Sequence, residues 1–102
     1  MLTTFINSTI YTGSEKISGK ALVIEDDKIK AITVNEPAYR SGRQIPQNSK
    51  IVDCKNCIIA PGLIDIQIYG AGGYLFSNAP SATALKSMTE SLISVGTTGF
   101  YV

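Results

Sequence analysis

Histidine and tryptophan are absent from the 102 residues, and cysteine occurs only twice. Without histidine the chain lacks both the commonest near-neutral general base and the commonest zinc ligand. Net charge is nearly missing as well. Nine Lys and Arg against eight Asp and Glu leave +1, so there is no basic footprint of the kind a nucleic-acid or anionic-membrane binder carries. Neither nucleic acid nor membrane is an expected partner. The start, Met1-Leu2-Thr3-Thr4, shows no basic segment leading into an apolar stretch, so no secretory signal is read and cytoplasmic residence is expected. The one apolar run of membrane length, Cys57 to Phe76, is broken by Pro61, Asp65, Gln67 and four glycines, which argues against a transmembrane helix.

Cysteine is confined to a lone C-x-x-C, Cys54 and Cys57. A zinc site needs two further ligands, and a redox pair favours a helix N-terminus, so the pair reads as structural. Charge is scarce in one half of the chain. Residues 1–55 hold eight basic and six acidic groups, whereas residues 56–102 hold only Lys86, Asp65 and Glu90. A solvated domain carries about a quarter charged residues, so the second half reads as a part of something larger. The apolar, β-prone ending Gly99-Phe100-Tyr101-Val102 points the same way. The expectation is an N-terminal piece of a longer protein.

What is present divides into a β part and a βαβ part. Phe5, Ile6, Ile10 and Tyr11 predict one short strand, or a pair broken near Asn7-Ser8, with Gly13 turning the chain. Lys20–Glu25 and Lys28–Val34 flank Asp26-Asp27 as the arms of a hairpin, the second arm alternating with Ile29, Ala31 and Thr33 on one side. Residues 35–49 read as a surface loop, and Ile51–Asp53 and Cys57–Ala60 as two more short strands. Pro61-Gly62 then introduces Leu63-Ile64-Asp65-Ile66-Gln67-Ile68-Tyr69, which has the nearly continuous apolar character of a parallel-sheet strand buried on both faces by neighbouring elements. Period-two geometry puts Leu63, Asp65, Gln67 and Tyr69 on one face. A carboxylate there needs a partner, water or a cavity. From Ser81 to Val95, Ala84, Leu85, Met88, Leu92 and Val95 form one helical stripe, with Ser81 as N-cap and Gly96 as the left-handed residue after the end. Thr97–Val102 completes a strand–helix–strand unit with parallel strands and a right-handed crossover.

Gly70-Ala71-Gly72-Gly73 sits between strand and helix, but Leu75 falls where a dinucleotide fingerprint needs its third glycine. Two readings remain. It is either a tight turn or a flexible loop beside a substrate.

The run Ala60-Pro61-Gly62-Leu63-Ile64-Asp65-Ile66-Gln67-Ile68-Tyr69-Gly70-Ala71-Gly72-Gly73, with Gly96-Thr97-Thr98 before the next strand, resembles the segment that opens the barrel in the amidohydrolase superfamily. Its counterpart there is P-G-hydrophobic-hydrophobic-D-x-H-x-H. Within the superfamily it is most similar to the N-acetylglucosamine-6-phosphate deacetylase family, which often has Gln in place of the first His. The fold class this resemblance implies is α/β: residues 1–60 as part of a small β-sandwich domain, and residues 61–102 as the first βαβ unit of a TIM-like (β/α)8 barrel cut at residue 102. The implied activity of the full-length protein is hydrolysis of N-acetylglucosamine 6-phosphate to glucosamine 6-phosphate and acetate. One divalent metal ion, zinc, and a homodimer are implied with it. Gln67 and Tyr69 replace the metal-binding pair, and neither an amide nor a neutral phenol is a good zinc ligand. In the family it resembles, the metal is held by a Glu and two His from later strands and an Asp acts as acid/base, so the resemblance implies no metal ligand and no catalytic residue within this chain. Gln67, Tyr69, Gly70, Ala71, Gly72 and Gly73 are the substrate-pocket candidates for an amino-sugar phosphate. Alternatives are a non-catalytic β-rich interaction module, or another amidohydrolase acting on a cyclic amide or dipeptide.

Overall fold

A computed structural model describes residues 1–35 and 45–102. The central part of the loop expected over 35–49, residues 36–44, lies outside the described residues. The chain divides into two compact units, Met1–Pro61 and Gly62–Val102.

The described residues of the first unit form strands and turns, with no helix. Strands β1 (Leu2–Ile6) and β2 (Thr9–Tyr11) are separated at Asn7, whose φ of 56° turns the backbone. Gly13, at φ 96°, then leads into β3 (Lys16–Ile17), a strand too short to leave a sequence pattern, which pairs antiparallel with β2. The predicted hairpin forms as β4 (Lys20–Glu25) and β5 (Lys28–Val34), and β6 (Lys50–Asp53) and β7 (Ile58–Ile59) follow. Two sheets result, a four-stranded one in the order β5-β4-β1-β6 and a three-stranded one in the order β3-β2-β7. Ala21, Leu22 and Val23 of β4 are buried, as its central place in the larger sheet requires. Thr4 is also fully buried, its hydroxyl 2.5 Å from that of Ser49.

The side chains of β5 depart from simple alternation. The register pairs Ile24 with Ile29 but Val23 with Ala31, so Lys30 is an extra residue, a β-bulge. A one-residue insertion inverts the facing of everything beyond it. Ile29 and Ile32, not Ile29 and Ala31, therefore pair with Ile24 and Leu22 on one side. These four side chains, with Ile10, Tyr11, Ile59 and Pro61, line an apolar groove of about 350 Å³ between elements of both sheets. The arrangement is sandwich-like. Ile29 remains 72 % exposed within it.

Asp53 ties the end of β6 to the Asn7 bend. Its carboxylate accepts the Lys55 backbone N–H at 2.9 Å and the Asn7 Nδ2 at 3.1 Å. Both bonds favour the charged form, the first more strongly, and hold the carboxyl below its ordinary 3.8. A depressed folded-state value contributes stability above the ordinary carboxylate range, and that stability is lost as pH falls through the lowered value. A carboxyl titration followed by NMR is expected to place the Asp53 midpoint below 3.8, and Asn7→Ala is expected to move it upward. A wild-type midpoint at or above the ordinary value contradicts this account.

The second unit is a strand–helix–strand element with a hairpin inserted. Its strands β8 (Leu63–Asp65) and β11 (Thr97–Phe100) pair in parallel, as expected, around α1 (Ala82–Ile93), and the inserted hairpin supplies β9 (Gly70–Ala71) and β10 (Tyr74–Leu75). Ser81 caps the helix by accepting the Ala84 N–H at 3.1 Å, and Gly96 takes φ 92° after its end. Ala84, Met88 and Leu92 are the buried stripe. Val95 is not part of it. The helix stops at Ile93, so Val95 lies beyond the last turn and is 71 % exposed.

Two further expectations fail here. The strand predicted over 63–69 ends at Asp65, because the Asp65 carboxylate takes the Gln67 N–H at 3.1 Å and closes a local turn where a ladder bond would form. The segment is also not buried on both faces by further strands. Among the described residues the sheet has two strands, and Leu63 and Ile64 are 64 % and 69 % exposed. A lone parallel pair with one helix has nothing to place on the other face. No helix of the described residues is long and apolar enough to cross a membrane.

Candidate functional site

The candidate pocket residues all follow the C-terminal end of β8, and the structure brings them together in two groups. In the first, Gln67 Nε2 donates to the Tyr69 hydroxyl at 2.7 Å, and both side chains are exposed. With that bond made, the Tyr69 O–H is free to donate, while Gln67 keeps its Oε1 as an acceptor and a second amide hydrogen. The pair thus offers donors and an acceptor side by side. It suits hydroxyl, amide or phosphate oxygen partners better than a cation.

The second group is Gly70-Ala71-Gly72-Gly73, and it is part of a paired hairpin. Gly70-Ala71 of β9 pairs antiparallel with Tyr74-Leu75 of β10 across a two-residue turn. Gly72 and Gly73 have φ of 60° and 83°, the double left-handed geometry that a type I′ hairpin turn demands. The tight-turn reading therefore holds. The Gly-Gly pair flanked by pairable residues carries this signal in the sequence, whereas the apolar helix that follows favours a plain strand–loop–helix connection.

The hairpin is seated on α1. Ser87 Oγ donates to the Gly72 carbonyl at 3.2 Å, and a Cβ at Gly72 would stand 2.6 Å from the Ser87 carbonyl oxygen. Gly70 is equally constrained, because a Cβ there would run into the Tyr74 carbonyl. Ser87 is a positioning residue that sequence reasoning misses. Its contact spans fifteen residues and leaves no local pattern. At the other end of the segment, Phe76 N–H donates to the Tyr69 carbonyl at 2.9 Å and Ile68 N–H to the Tyr101 carbonyl at 3.0 Å, so the backbone bearing Tyr69 is fixed to both β10 and β11 neighbours.

Asp65 is satisfied locally by the Gln67 N–H, and its own carbonyl accepts the Tyr101 N–H at 3.0 Å. It is a framework residue here. Among the described residues no three His, Cys, Asp or Glu side chains cluster to hold a metal. Gln67 and Tyr69, bonded to each other, do not fit as metal ligands.

No protein-family model matches the chain. It is 27 % identical over 95 residues to N-acetylglucosamine-6-phosphate deacetylase of Haemophilus influenzae, covering 93 % of this chain and 23 % of the relative. It is 30 % identical over 94 residues to N-acetylglucosamine-6-phosphate deacetylase of Bos taurus, covering 88 % and 22 %. Among solved structures, the crystal structure of N-acetylglucosamine-6-phosphate deacetylase from Pasteurella multocida superposes with a TM-score of 0.87 at 34 % identity, over 98 % of this chain and 24 % of that one. The chain spans about a quarter of the length of each of these proteins.

Proposed function

We propose, because sequence and fold both resemble the N-terminal part of N-acetylglucosamine-6-phosphate deacetylases, that this chain is the corresponding part of an enzyme that hydrolyses N-acetylglucosamine 6-phosphate to glucosamine 6-phosphate and acetate. The observation that carries the reading is the 0.87 TM-score over 98 % of the chain. On this reading Met1–Pro61 is part of a β-sandwich domain, and Gly62–Val102 opens a barrel whose remaining strands cover the exposed Leu63 and Ile64. In such barrels the reaction takes place at the C-terminal strand ends and the loops after them. Gln67, Tyr69 and the glycine hairpin follow that end of β8.

The role proposed for this chain is binding and orientation. Gln67 and Tyr69 present hydrogen-bonding atoms to the polar substrate, and the hairpin, fixed by Ser87, holds the pocket wall in place. The divalent ion that the resemblance implies finds no fitting ligands among these residues, so its ligands and the proton-transferring group are assigned to parts of the protein outside this chain. A homodimer of the full-length protein belongs to the same proposal.

Gln67→Ala in the full-length protein tests the assignment. Removing a substrate-orienting bond costs roughly tenfold or more in turnover with N-acetylglucosamine 6-phosphate, with metal content unchanged. Unaltered kinetics, or loss of the metal ion on substitution, would remove Gln67 from the pocket or make it a ligand.

A further inference from the structure

The Cys54 and Cys57 pair has no part in the reading above, yet its geometry is specific. Residues 54–57 make a turn between β6 and β7, closed by the Cys57 N–H donating to the Cys54 carbonyl at 2.9 Å. Lys55 and Asn56, at φ 49° and 66°, supply its two left-handed residues. The turn is held from outside too. Cys54 N–H donates to the Ile6 carbonyl at 2.9 Å and Asn56 N–H to the Asn7 carbonyl at 2.8 Å. Its conformation is therefore fixed before any chemistry at sulfur takes place.

A β-turn keeps its first and fourth Cα atoms within about 7 Å, and a disulfide spans Cα separations of about 4.4–6.8 Å. The turn thus brings the two Cα atoms close to the separations a disulfide spans. Both are free thiols, Cys57 exposed and Cys54 half-buried, with the Cys54 Sγ 4.0 Å from the Val52 carbonyl. Neither is enclosed in a core, the usual place of an inert structural cysteine. Among the described residues no third His, Cys, Asp or Glu joins them as a metal-binding group.

We propose that Cys54 and Cys57 are a reversible dithiol–disulfide site that exchanges with low-molecular-weight disulfides. The exposed Cys57 thiolate attacks one sulfur of the small disulfide, forming a mixed disulfide and releasing one small thiolate. Cys54 thiolate then attacks the Cys57 sulfur and displaces the second. The protein loses two protons and two electrons, and the electrons reduce the small disulfide to two thiols. The closed ring clamps the turn through which β6 is bonded to the Asn7 bend.

The test is equilibration of the protein with mixtures of oxidised and reduced glutathione, quenching with an alkylating agent, and peptide mass spectrometry. Toward oxidising mixtures the 54–57 peptide is expected to lose two hydrogens and both alkylation sites, and to regain both on addition of dithiothreitol. In Cys54→Ser the reaction is expected to stop at a glutathione adduct on Cys57. A wild-type protein that accumulates the Cys57 adduct without closing the ring, forms dimers through either cysteine, or keeps both thiols alkylatable in every mixture would overturn the proposal.

Discussion

Replacing Met88 by Ala is expected to cost about 2–5 kcal/mol, the range found when a large apolar side chain is removed from a core that cannot collapse around the gap. Met88 has no exposed surface and is the largest fully buried side chain of its unit, set between Ala84 and Leu92 on the inner stripe of α1. Ala84 is too small to fill the space. The unit itself, Gly62–Val102, is below the size at which a single core gives a comfortable stability margin, so a loss of this size is a large share of what it has. Hydrogen exchange of the α1 amides reports the result. Their protection should fall toward that of the exposed ends, while the β4 amides of the other unit keep theirs. A change of less than about 1 kcal/mol in α1 opening, where roughly 2 or more is expected, would show that Met88 is not the core of this unit.

Gly72→Ala is the second large effect, because two costs coincide at one position. An L-residue held in the left-handed region loses roughly 1–2 kcal/mol. In addition, the new Cβ at φ 60° would meet the Ser87 carbonyl oxygen at 2.6 Å, a backbone atom that can move only with the helix. Gly73 is the internal control: its φ is 83°, but nothing lies within 4 Å of where a Cβ would stand. Gly73→Ala should therefore lose the conformational part alone, and Gly72→Ala should exceed it and break the bond from Ser87 Oγ to the Gly72 carbonyl. Urea unfolding of the two variants, with the Ser87 and Gly72 chemical shifts as a local report, checks both. Equal losses would mean that the hairpin is not seated on α1.

The features legible from sequence are those set by near neighbours. The β4–β5 hairpin follows from Asp26-Asp27 between two β-rich arms, and α1 follows from the Ala84, Met88, Leu92 spacing with Ser81 and Gly96 at its ends. The bulge at Lys30 is not legible. It inverts the facing of Ile32, and the sequence offers the same apolar and charged residues to either register. The early end of β8 arises because one carboxylate, Asp65, captures the Gln67 N–H, a choice that an apolar run around it does not reveal. At the candidate site, the order Gln67-x-Tyr69-Gly-Ala-Gly-Gly stands out as a motif, but the bond between Gln67 and Tyr69 and the seating of Gly72 on Ser87 are three-dimensional facts. The expectation of one face shared by Leu63, Asp65, Gln67 and Tyr69 fails for the same reason, since the last two stand outside the strand.

The central claim is tested most directly by offering N-acetylglucosamine 6-phosphate to the purified full-length protein and measuring both products. The account predicts acetate and glucosamine 6-phosphate in equal amounts, formed more slowly in the Gln67→Ala variant at undiminished metal content. A metal-replete, folded full-length protein that releases neither product from this substrate would contradict it.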